Sequence, residues 1–173
     1  MQILALVIIA ISAFLGQTPS LKQVRQQYYQ AVTSEEVADR LHSELKQQKL
    51  TDPVLLAYFG ATQSVRAKHA INPYNKVSFL KSGLRTLQTA VSRSPENLEI
   101  RFLRFSLEHY LPSFLGMSKN LTADRKKMVD LIKRREFGAI DATLLKNIIS
   151  FMKETKRCTA EELAVLNRAI SNG

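Results

Sequence analysis

The strongest constraint on this chain is how its prolines and small polar residues punctuate it. Asp52-Pro53, Asn72-Pro73 and Ser94-Pro95 each set a side-chain acceptor directly before a proline. That pair marks a helix start: the acceptor caps an orphan backbone N–H, and proline at the first helical position lacks only an N–H that would have no intrahelical partner. Thr33-Ser34-Glu35-Glu36 and Thr159-Ala160-Glu161-Glu162 read as capping boxes opening apolar patterns of period 3.6, the second with Cys158 and Leu163 at staple positions. No stretch alternates polar and apolar residues for long, and no Asn-Gly or Asp-Gly lies between two apolar runs, so nothing argues for a strand.

The spacing predicts about eight helices, over residues 20–32, 34–48, 53–70, 73–92, 95–110, 122–135, 142–156 and 160–171. Their breaks are short, which makes sequential helices antiparallel and the whole an all-α train of helical hairpins. The helix from Pro73 carries Val77, Leu80, Leu84, Leu87 and Val91 as one stripe and is expected to pack on one side. The next one has Leu98, Ile100, Phe102, Leu103, Phe105 and Leu107 around most of its circumference, which predicts cover on several sides and a place at the centre of the core. The interval Leu111 to Leu121, with Pro112, Gly116 and Asn120, is the connection able to form a shaped loop, and Thr122 is expected to cap the helix after it.

Residues 2 to 16 carry no charge and give way abruptly to a polar stretch at Gln17. A spanning helix needs about 20 apolar residues, so a run this short fits the core of a signal peptide. The expected organisation is a signal over residues 1–16 and one helical domain over residues 17–173, exported to the periplasm or the medium; retention of the run as a membrane anchor is the alternative. At 45% hydrophobic and 23% charged overall, the chain can bury a core, which excludes a disordered tail. The single cysteine, Cys158, excludes an intrachain disulfide and any CxxC site.

The middle of the chain resembles a tetratricopeptide repeat. Leu56, Phe59 and Gly60 stand where that repeat's first helix has its leucine and small positions, and Gly83, Leu87, Ala90 and Pro95 match the small, large, small and proline positions of its second helix and turn. Ala57-Tyr58-Phe59-Gly60-Ala61, Ala67-Lys68, Asn72-Pro73, the run Glu99 to Phe105 and Pro112 to Gly116 are together similar to a family of small exported helical proteins of Bacteroidetes-type bacteria. The two resemblances imply a helical fold and export, and bring no chemistry.

A search for chemistry finds no phosphate loop, HExxH, GxSxG or EF-hand spacing. His42, His69 and His109 lie on three separate predicted helices without a His or Cys one turn away, so no metal or cofactor is expected and no catalytic residue is assigned. Charge is more informative. Lys and Arg exceed Asp and Glu by 25 to 15, which favours anionic partners. No acid occurs between Asp52 and Glu96, while Arg66, Lys68, Lys76, Lys81, Arg85 and Arg93 do; a second basic block runs from Lys119 to Arg135. Acidic protein segments or anionic envelope lipid and polysaccharide are the expected partners; export and the lack of a binding motif disfavour nucleic acid.

Arg101 and Arg104 interrupt a helix that is otherwise apolar, and a buried guanidinium must reach water, an acid or a ligand. Two readings stand: an internal network with Glu99 or Glu108, or an anion-binding groove of Arg101, Arg104, Lys68, Tyr74 and Asn75. The expected function is an exported binding or scaffolding module for an acidic protein segment; the alternative is an enzyme or accessory subunit whose site is assembled across helices.

Overall fold

A computed structural model describes residues 19–171. The uncharged run and the expected signal therefore lie outside the described residues. Among the described residues eight α-helices follow one another: α1 (Leu21–Ala31), α2 (Glu35–Lys46), α3 (Pro53–His69), α4 (Pro73–Arg93), α5 (Leu98–Tyr110), α6 (Leu121–Arg134), α7 (Ala142–Glu154) and α8 (Ala160–Ser171). A single 3₁₀ turn, Ser113–Leu115, interrupts the connection between α5 and α6. Among the described residues there is no strand, and no helix is long and apolar enough to cross a membrane.

The caps explain most boundaries. Asp52 accepts from the backbone of Val54 and Leu55, and Asn72 from that of Tyr74, with proline next in each case. Thr159 and Glu162 exchange both bonds of a capping box. Three expectations need correction. The cap of α2 is Ser34, bonded to the Val37 N–H, because the Thr33 hydroxyl turns back to donate to the Gln30 carbonyl. Ser94-Pro95 does not start α5: Asn97 accepts from Ile100 N–H and caps it, while the Pro95 carbonyl accepts from Arg101 Nε. Thr122 is already inside α6, preceded by Asn120 at the cap position, whose side-chain amide is engaged elsewhere.

Packing divides into two main cores that share α5, and a small third cluster of Ala31, Ala38 and Val65. Ile100 and Leu103 join Val24, Leu41, Leu45, Tyr58, Leu87 and Val91 from the first four helices. Leu98 and Phe105 join Met128, Leu131, Ile132, Ile148, Met152 and Leu166 from the last three. α5 is thus covered on several sides, as its apolar circumference requires.

The tightest helix contact is the crossing of α3 and α4 at Gly60 and Gly83. A Cβ on Gly60 would stand 2.9 Å from both the Gly83 carbonyl oxygen and the Leu87 nitrogen; one on Gly83 would strike the Gly60 carbonyl oxygen and Ser64 Oγ. Two glycines let the backbones meet where any side chain would hold them apart.

α4 packs on one side, with Gly83, Leu87, Ala90 and Val91 buried. Val77, Leu80 and Leu84, the N-terminal half of the same stripe, are only half-buried and belong to neither core.

Candidate functional site

The two arginines of α5 serve an internal network, and their carboxylate is neither of those the sequence suggests. Asp124, in the first turn of α6, is completely buried. Arg104 holds it bidentately, Nε to Oδ2 and Nη2 to Oδ1, both at 2.7 Å, and donates its remaining nitrogen to Gln88 of α4. Arg101 adds a bond of 2.8 Å to Oδ1. Two planar guanidinium forks thus satisfy one buried carboxylate and join α4, α5 and α6.

Glu99 and Glu108 have their own partners. Glu99 receives a bidentate pair from Arg25 of α1 and a 2.7 Å bond from the Tyr58 hydroxyl. Glu108 accepts from the backbone and side-chain nitrogens of Asn120, both at 2.7 Å, while Ser118 donates to the Glu108 carbonyl. This pins the α5–α6 connection back onto α5. Burial pushes the Glu108 carboxyl above its ordinary range despite those bonds.

The structure does not bring the five expected groove residues together. Lys68, at the end of α3, donates to the Val32 carbonyl; Tyr74 and Asn75 are exposed in the first turn of α4. Gln88, which touches Arg104, lies roughly 20 Å further along α4 at 1.5 Å per residue. Asn75 instead borders a cleft of about 340 Å³ with Asp39, Arg66, His69, Ile71 and Phe79. The guanidinium there is already engaged: Arg66 bonds Asp39 at 2.6 Å, contacts His42 Nδ1 and lies 4.5 Å above the Phe79 ring.

The histidines are engaged structurally. His42 stacks on Phe59, His69 Nε2 meets the Ala31 carbonyl, and His109 Nδ1 accepts from Arg157. Burial lowers the affinity of His42 and His109 for a proton, with repulsion from Arg66 and Arg157 adding to it. Cys158 is half-buried over the Met152 carbonyl, and burial raises its thiol pKa, opposite to what a nucleophile needs. Among the described residues no group of three or more His, Cys, Asp or Glu is placed to hold a metal.

The two basic blocks fare differently. In α6, Arg125 pairs with Glu162, Lys127 with Glu96, and Arg134 with Glu96, Asp130 and Glu136. In α4, Lys76, Lys81 and Arg85 are exposed, and no carboxylate of the described residues comes within 4.0 Å of them. α4, a helix without an acid, therefore keeps these cations open to a partner.

No family model, no curated protein and no solved structure matches this chain.

Sequence reasoning missed Asp124, Gln88 and Arg25. A signal for Asp124 exists: it falls on the stripe Leu121, Met128, Leu131 at spacings of three and four, where a charge must be buried and answered. Gln88 and Arg25 carry no such mark, being polar residues on helices with open polar faces.

Proposed function

We propose that this chain is an exported helical binding or scaffolding module that takes an acidic protein segment along α4. The observation that carries this reading is that α4, a helix of 21 residues without an acid, exposes Lys76, Lys81 and Arg85 with no carboxylate near them. Eight cations of the described fold occur in its ion pairs, and Asp52 and Asp141 are taken up as helix caps. The tetratricopeptide resemblance of α3 and α4 agrees with a module of this type. Unpaired cations on a rigid helix attract an acidic segment at long range and add little to the protein's own stability.

The test is binding of a fluorescent oligoglutamate peptide, followed by anisotropy at about 20 mM and about 300 mM NaCl, where the Debye length drops from roughly 20 Å to below 6 Å. Binding should weaken steeply with salt and be lost in Lys81→Glu/Arg85→Glu. Equal binding by that variant would remove α4 from the reading, and no binding at low salt would end it.

A further inference from the structure

The uncovered half of the α4 stripe narrows the partner, and this step rests on the proposal that α4 receives an acidic segment. α4 and α5 are antiparallel, with Gln88 against Arg104 and Leu87 and Val91 in one core with Ile100 and Leu103. α5 ends at Tyr110. The chain then turns away, held to Glu108 by Ser118 and Asn120. In the first turns of α4, Val77, Leu80 and Leu84 are partly buried yet pack against none of the buried apolar clusters. Lys76 precedes Leu80 by four residues and Lys81 follows Val77 by four, so the two unpaired cations flank this apolar strip.

An apolar strip between cations fits one kind of chemistry. We infer that the partner segment is an acidic amphipathic helix, its apolar face on Val77, Leu80 and Leu84 and its carboxylates toward Lys76 and Lys81. The strip is roughly 10 Å long, two turns of helix, which matches anchors spaced i, i+3 or i+4, i+7 on the partner. A second copy presenting its own α4 would set these lysines against each other. Residues 2–16 carry no charge and would leave both cations unanswered.

The experiment uses the full purified chain and three peptides labelled with fluorescein: one with Leu at helical spacing and Glu elsewhere, a scramble of the same composition, and oligoglutamate. The patterned peptide should bind roughly ten-fold or more tighter than the other two; Leu80→Ser should remove most of that advantage and Leu80→Met should keep it. Lys76→Glu/Lys81→Glu should abolish binding of all three at low salt. Equal affinity for the three peptides overturns the inference and leaves the broader anionic reading intact; no affinity for any of them defeats both. Two results would also overturn it: self-association abolished by Leu80→Ser, or binding to phosphatidylglycerol vesicles that Leu80→Ser alone removes while the patterned peptide fails to bind. Circular dichroism of each variant verifies that the fold is intact.

Discussion

Replacing Arg104 by Met tests the whole account of the α5 network. The change removes two bonds to Asp124 and the one to Gln88, in a place where Arg104 is 3% exposed and Asp124 not at all. Breaking a buried pair by deleting one partner costs about 3–5 kcal/mol, because the other charge stays behind in a poor solvent. Arg101 still reaches Asp124 at 2.8 Å, which puts the expectation near the lower end, at about 3 kcal/mol. For a chain of this size about 1 kcal/mol moves the melting midpoint by 2–4 °C, so differential scanning fluorimetry should show a fall of roughly 6–12 °C. Arg101→Met leaves the bidentate pair in place and should cost only about 1–2 kcal/mol. In Arg104→Met/Asp124→Leu the carboxylate that the first change strands is gone too, and the midpoint should recover much of the loss instead of showing the sum of two defects. An unchanged midpoint for Arg104→Met, or a loss from Arg101→Met as large as that from Arg104→Met, would refute this reasoning.

Gly83→Ala should destabilise by about 3 kcal/mol or more, since backbone atoms of α3 cannot yield to the new Cβ, whereas Gly116→Ala, in open space at φ 61°, should cost only about 1–2 kcal/mol; urea titrations compare them. His42 and His109 are held below the ordinary 6.5, so on acidification the unfolded chain takes up protons before the folded one does; stability present above that value should fall as pH drops through the folded values, and His42→Gln/His109→Gln should flatten the melting profile there. Glu108 works in the opposite sense: its raised pKa favours the folded state below the ordinary 4.5 and withdraws that advantage as pH rises, so wild type should lose stability relative to Glu108→Gln across that range. Protein from its native host should have the intact mass of a chain beginning near Gln17; a full-length mass in the membrane fraction would favour the anchor instead.

The helices were legible because their starts are written in local chemistry. Asp52, Asn72 and Thr159 act through atoms within three residues of themselves, so a reader of sequence sees nearly the whole interaction. Ser94-Pro95 misled for the same reason: the local signal is present, but Asn97 three residues on makes the better cap, and the Pro95 carbonyl is needed by Arg101. The ion network depends on distances in sequence that no local rule carries. Glu99 reaches back 74 residues to Arg25, and Arg104 finds Asp124 20 residues ahead of it. Sequence could establish that Arg101 and Arg104 needed acids and that Asp124 needed cations, yet the pairing follows only from how α6 folds back onto α5. The open cations of α4 were visible as a run, while the pairing of Arg125, Lys127 and Arg134 in α6 required knowing that Glu96 and Glu162 come alongside them.

From Leu98 to His109 no residue of α5 is exposed. Such a helix has nowhere to send an ill-fitting side chain, and its amides can reach deuterated solvent only when the packing on both flanks is lost. They should be the slowest in the molecule to exchange, and neither half of the protein should open fully while the other keeps its order. The same confinement acts over generations. A change of volume on one side of α5 must be accepted by helices on the other, so the two ends of the chain are bound to drift together.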